Sequence, residues 1–146
     1  MGSFLAYVRR RKKSQRTAAD GVEIDIIESI NNERGAYNLA LHYDGYGEYL
    51  KSVKTGLIYD FNIYDGEFHL FALDRTANSY VFYIDGQEQW RVTPQECAPC
   101  AEDGYMKLTL EAAKWAGAGK SEAIASLPAE MLVDFVKVYS KNPYIL

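Results

Sequence analysis

Apolar and polar residues alternate with a period of two along nearly the whole chain, the pattern of strands with one buried face and not of helices. Runs of this kind occupy residues 3–8, 22–29, 37–43, 51–59, 67–73, 79–84, 87–93, 105–112 and 132–139. Turn-forming pairs punctuate them at Asn31-Asn32, Asp44-Gly45, Asp65-Gly66 and Asp103-Gly104. Asp85-Gly86, between two adjacent runs, predicts a two-residue hairpin. Only residues 121–125 and 110–116 hint at helix. Many short strands at even spacing predict an all-β fold, an antiparallel β-sandwich. At 146 residues, 48% of them apolar, the chain is long enough for one domain, spanning residues 1–146, with its own core.

Residues 23–28 read Glu-Ile-Asp-Ile-Ile-Glu, three carboxylates in a run otherwise made of isoleucine. Alternation puts Glu23 and Asp25 on one face and Ile24 and Ile26 on the other. Strict alternation would leave Glu28 with the isoleucines, so the spacing predicts a β-bulge at Ile26 or Ile27 that returns Glu28 to the face of Glu23 and Asp25. Like charges on one strand face repel, and each carboxylate needs a cation, a shared proton or strong hydrogen bonds. Two-carboxylate chemistry is a reason to tolerate that repulsion. Glycoside hydrolysis with retention uses one carboxylate as nucleophile and one carboxylic acid to protonate the leaving oxygen, about 5–5.5 Å apart. Positions five apart on a flat strand are separated by roughly 16 Å, so the bulge, strand curvature and inward-leaning side chains have to close that gap. Asp25, between the two, can hydrogen-bond a neighbour and hold their pKa values apart. The bland alternative is an exposed acidic strand.

Glu-Ile-Asp-Ile-Ile-Glu resembles the signature of glycoside hydrolase family 16 in its bulged, laminarinase-like form. Downstream, Leu41-His42-Tyr43-Asp44-Gly45-Tyr46-Gly47 with Lys51-Ser52 is similar to the family's stretch on the strand after the catalytic one. Phe68-His69-Leu70-Phe71-Ala72-Leu73-Asp74-Arg75-Thr76 and Tyr80-Val81-Phe82-Tyr83-Ile84-Asp85-Gly86 resemble its Phe-His-x-Tyr-x-Leu-Glu-Trp-Thr and Phe-Tyr-Val-Asp-Gly segments. Trp115-Ala116-Gly117, Leu127-Pro128 and residues 131–139 resemble its closing part, so the likeness runs in order from about residue 20 to residue 140. The resemblance implies a jelly roll of the concanavalin-like kind with a concave sugar-binding cleft. It implies an endo-β-glucanase acting on β-1,3- or β-1,3-1,4-linked polysaccharide, with Glu23 as nucleophile, Glu28 as general acid/base and Asp25 as the helper that tunes the pair. It also implies a secreted or extracellular enzyme that needs no cofactor.

The departures from the family pattern matter equally. Family domains carry a substantial segment before the signature, so this chain reads as the carboxyl-terminal portion of the domain. A sandwich lacking strands exposes unpaired edges, which invite self-association. Arg75 stands where the family usually has tryptophan. A glycan-binding module without turnover and an assembly role for a shortened sandwich are therefore the alternatives to an active enzyme.

The remaining candidates carry less weight. His42, expected beside the catalytic strand, could hydrogen-bond the nucleophile or a sugar hydroxyl, or simply pack. Tyr43, Tyr46 and Trp115 could stack on sugars or serve as core or hairpin residues, the sugar role being favoured only for Trp115, through the resemblance; His69 is expected to pack near a strand end. The 12 tyrosines suit sugar rings and sheet packing alike. Cys97 and Cys100 allow free thiols, a small loop disulfide or a redox pair, and cannot alone build a four-ligand zinc site. Asp44 and Asp134 show no loop cage for calcium, and no metal is expected. A net charge of −4 argues against nucleic acid as the partner, and the basic run from Arg9 to Arg16 reads as a solvated loop. No run approaches the roughly 20 apolar residues of a membrane span, and the start lacks the form of a signal peptide.

Overall fold

The computed structural model describes residues 17–29, 35–45, 47–60, 62–110, 128 and 130–141, together with the backbone of residues 2–8. The strands are β1 (Gly2–Val8), β2 (Glu23–Glu28), β3 (Asn38–Tyr43), β4 (Lys51–Lys54), β5 (Phe71–Arg75), β6 (Tyr80–Ile84), β7 (Gln87–Val92) and β8 (Gly104–Leu110). All pair antiparallel, in a five-stranded sheet of order β4-β3-β2-β1-β8 and a three-stranded sheet of order β5-β6-β7. The expected antiparallel all-β architecture is therefore present.

The core forms where the two sheets face each other. Ile24, Leu39 and Leu41 from the larger sheet, with Tyr37 just before β3, meet Tyr80, Phe82, Ile84 and Val92 from the smaller, all buried. Each such side chain contributes about 1.5–3 kcal/mol on burial. Phe82 stacks on Trp90 across the β6–β7 pair, with ring centroids 5.0 Å apart. The two buried phenols are satisfied at their polar tips: the Tyr37 hydroxyl donates to Asp60 Oδ1 at 2.8 Å, and the Tyr80 oxygen accepts from the Cys100 backbone N–H at 2.7 Å. Cys97 and Cys100 are free, buried thiols of this core, and burial pushes Cys97 up to about 12, which keeps it protonated and inert.

Asp85 and Gly86 both take positive φ, 49° and 80°, as the tight hairpin between β6 and β7 requires. Elsewhere the expected strands are shorter than the pattern suggested. Strand β4 stops at Lys54 because Gly56 turns the backbone to φ 77°, and pairing resumes only at the Tyr37–Ile58 bridge. Strand β5 begins at Phe71 and not at Glu67, since the Leu70 N–H is taken by the Asp85 carboxylate, outside any ladder.

Residues 132–139, expected to form a strand, do not: no ladder joins them among the described residues. Leu132 and Val138 are 73% and 76% exposed. An alternating pattern makes a strand only where a neighbouring edge accepts its backbone hydrogen bonds. The possible helix at 121–125, residues 111–116 and the run Arg9 to Arg16 lie outside the described residues.

Candidate active site

Strand β2 runs between β1 and β3, so its register is fixed from both sides. Opposite β3 the pairs are Glu23 with His42, Asp25 with Ala40, and Glu28 with Asn38; three residues of β2 thus span what two residues of β3 span. Opposite β1, Leu5 pairs with Asp25 and Phe4 with Ile27, which leaves Ile26 as the extra residue. The bulge sits where the phase of the sequence required it. Glu23, Asp25 and Glu28 consequently share the face of Asn38, Ala40 and His42, while Ile24 joins Leu39 and Leu41 in the core.

On that face the acids converge with β3 side chains. Asp25 is 1% exposed, and His42 Nε2 comes within 3.2 Å of its Oδ2. That approach lies off the hydrogen-bond axis, and both Asp25 oxygens lack an aligned donor. The small Ala40 opposite Asp25 leaves room for this approach. Asn38 Nδ2 donates to Glu28 Oε2 at 3.0 Å, an interaction available whether Glu28 is charged or protonated on its other oxygen. His42 Nδ1 contacts Ser52 Oγ of β4 at 2.6 Å.

The charges are correspondingly shifted. Burial, and next the charge of Asp25, push Glu28 from 4.5 up to about 7, against the opposing bond from Asn38. His42 is raised by its contact with Asp25 against the effect of burial, and the charges of Glu23 and Glu28 add to the rise. A carboxyl group that holds its proton near neutrality, on the face of two other acids, can act as a general acid. Ligand atoms of Asp25, Glu28 and His42 lie within 4.8 Å of one another and could hold a cation, but a hard ion such as calcium wants six or more oxygens and this trio offers a mixed set.

The other candidates fall elsewhere. Tyr43 follows His42 and therefore points to the opposite face, packed against the core with Lys51 Nζ 5.6 Å from its ring centroid. Tyr46 and Trp115 lie outside the described residues. His69 does more than pack near a strand end, since both its ring nitrogens contact carboxylates, Asp85 Oδ2 at 2.8 Å and Asp65 Oδ1 at 3.0 Å. Arg75, at the family's tryptophan position, donates to the Glu102 carbonyl at 2.8 Å. Asn38 and Ser52 were not singled out from the sequence, and the signal was the register: they lie on the face of His42, Asn38 four residues before it on the same strand and Ser52 directly across β4.

The family model described as glycosyl hydrolases family 16 matches residues 2–136. A glucan endo-1,3-beta-glucosidase A1 of Niallia circulans is 25% identical over 138 residues, which is 86% of this chain and 20% of that protein. A Bacteroides ovatus mixed-linkage glucan family 16 protein, solved with a G4G4G3G product, superposes with a TM-score of 0.57 at 19% identity over 73% of this chain and 46% of that one. A Bacillus licheniformis beta-glucanase gives a TM-score of 0.50 at 24% identity over 82% of this chain and 51% of that one. The chain thus spans about half the length of these solved structures, and the likeness to them is one of fold. With the family matched from residue 2 to residue 136, the bulged acid strand has its context: the chain belongs to glycosyl hydrolase family 16.

Proposed function

We propose that this chain carries the catalytic strand of a retaining endo-β-glucanase that cleaves β-1,3- or β-1,3-1,4-linked glucan. Glu23 attacks the anomeric carbon while Glu28 gives its proton to the leaving glycosidic oxygen, and a covalent glycosyl-enzyme forms. Glu28, now a carboxylate, then takes a proton from the water that hydrolyses this intermediate. Asp25, between them, raises the proton affinity of Glu28. The observation that carries this reading is a single group: Glu28, turned by the bulge onto the face of Glu23 and held near pKa 7 by burial and Asp25. The curated relative named for β-1,3-glucan and the solved relative bound to a mixed-linkage product support a β-glucan as the substrate class.

The test is release of reducing ends from laminarin and from mixed-linkage β-glucan by the purified chain. Glu23→Gln should abolish both hydrolysis and covalent labelling by an activated fluoro-glycoside. Glucan binding without hydrolysis in a folded wild type would replace this reading with that of a binding module.

Self-association is a second property with an observation behind it. Met106, Leu108 and Leu110 alternate along the edge strand β8 on the side away from the acids, each 41–42% exposed. Sedimentation should detect dimers or larger species that Leu108→Lys disperses; a monomer at all concentrations would end this reading.

A further inference from the structure

Strand β4 contributes to the acid face without carrying an acid. Its Ser52 pairs directly with His42 in the ladder, and their side chains meet at 2.6 Å through Ser52 Oγ and His42 Nδ1. On the far side of the same ring, Nε2 lies 3.2 Å from Asp25, the buried carboxylate between Glu23 and Glu28. One imidazole thus bridges an exposed hydroxyl and a buried charge across three neighbouring strands.

The chemistry of the two ring nitrogens gives this bridge a direction. A neutral imidazole carries one N–H and one lone pair. If the lone pair were on Nε2, it would face the Asp25 carboxylate and repel it. Asp25, a carboxylate that only accepts, favours the ring that carries its proton on Nε2, and Ser52 can hold that ring in either protonation state, donating to the bare Nδ1 of the neutral form and accepting from the Nδ1–H of the cation. A ring held at one nitrogen keeps its other nitrogen in place, here toward the carboxylate that sets the tautomer. Asp25 depends on where the ring is held, since neither of its oxygens has an aligned donor and His42 Nε2 lies 3.2 Å from Oδ2.

We propose that Ser52 is a positioning residue of the acid face: by holding Nδ1 of His42 it keeps the ring from turning and Nε2 beside Asp25, the carboxylate between Glu23 and Glu28. The rate consequences rest on the hydrolase reading above, whereas the state of the imidazole does not.

The chain has only two histidines, His42 and His69, so the ring nitrogens can be followed individually by long-range proton–nitrogen correlation spectra. At alkaline pH, where the rings are neutral, wild-type His42 should be the Nε2–H tautomer. Ser52→Ala should free the ring to turn away from Asp25 and so mix the two tautomers, while the His69 signals stay in place as the control for folding. In hydrolysis, kcat should fall about tenfold with KM unchanged, the scale of a reacting group misplaced by a fraction of an ångström, and Ser52→Thr should restore both readouts. An unchanged His42 tautomer in Ser52→Ala overturns the proposal, as does a raised KM at constant kcat, which would make Ser52 a direct sugar contact. If wild type hydrolyses no glucan, the hydrolase reading fails and the tautomer comparison still decides the role of Ser52.

Discussion

The two histidines are held by carboxylates in opposite ways. His69 is bound at both nitrogens by Asp65 and Asp85, and each acid has a second donor, the Glu67 N–H for Asp65 and the Leu70 N–H for Asp85. The pKa of His69 rises, chiefly through Asp85. Its partners move the other way: Asp65 is lowered by the Glu67 N–H and His69, and Asp85 ends low because the Leu70 N–H and His69 outweigh its burial. Every group there is more stable in its charged form. His42 instead meets one buried acid off-axis, and the neighbouring Glu28 is pushed up to about 7. Satisfied charges mark a clasp that ties the turn before β5 to the β6–β7 hairpin, and the unsatisfied ones mark a place where a proton is kept ready to leave.

The sharpest way to break this contrast is through catalysis. Glu28→Gln should lower hydrolysis by about 10²–10⁴-fold, the usual contribution of a positioned general acid. His69→Gln should leave it unchanged. In the wild type, Glu28 must carry its proton to act, so the rate should fall on the alkaline side with a midpoint near pH 7. A midpoint near 4.5, the ordinary carboxyl value, would show that burial and Asp25 do not perturb Glu28 and would remove the distinction between the two histidine sites.

Stability should respond with the opposite sign. Glu28 binds its proton more tightly in the folded chain than in the unfolded one, so the stability it confers is fully present below pH 4.5 and is lost as pH rises to about 7. Replacing it by a neutral amide removes that loss. Glu28→Gln should therefore stabilise the fold by about 1–2 kcal/mol at pH 8, the partial exposure of the group reducing the full linkage value. The gain should vanish near pH 4, and urea unfolding at the two pH values measures it. An inactive variant that is more stable than wild type above pH 7 would identify Glu28 as a residue kept for chemistry at the expense of the fold.

Much of this contrast is legible in the sequence, and the illegible part has a common cause. Glu-Ile-Asp-Ile-Ile-Glu contains its own bulge, because only an extra residue reconciles Glu28 with the face of Glu23, and Asp85-Gly86 contains its own turn. Both are local rules. Residues 132–139 obey the same alternation as β2 and yet form no strand among the described residues, because alternation reports which face would be buried and not whether an edge is present to pair with. The roles of Ser52, Asn38 and Tyr43 are likewise set by which residue stands opposite which. They follow at once from the pairing of β3 with β2 and β4, and Tyr43 turns to the core side by a shift of one residue from His42.

The smallest effect belongs to the satisfied site. His69→Gln keeps a polar side chain but removes the positive charge between Asp65 and Asp85, leaving two carboxylates close to an uncharged amide. Because the folded pKa of His69 is raised above 6.5, its contribution is fully present below pH 6.5 and is lost as pH rises through the folded value. The variant should be less stable than wild type by at most about 1 kcal/mol at pH 5.5, as solvent-screened pairs allow, with a smaller difference at pH 9. Added salt should shrink the low-pH difference further. The two histidine sites thus predict differences of opposite sign for their neutral amide variants: Glu28→Gln equals wild type near pH 4 and exceeds it in alkali, whereas His69→Gln falls below wild type in acid and approaches it in alkali. A His69→Gln variant more stable than wild type in alkali, as Glu28→Gln should be, would mean that burial, and not the presence or absence of aligned partners, governs both sites.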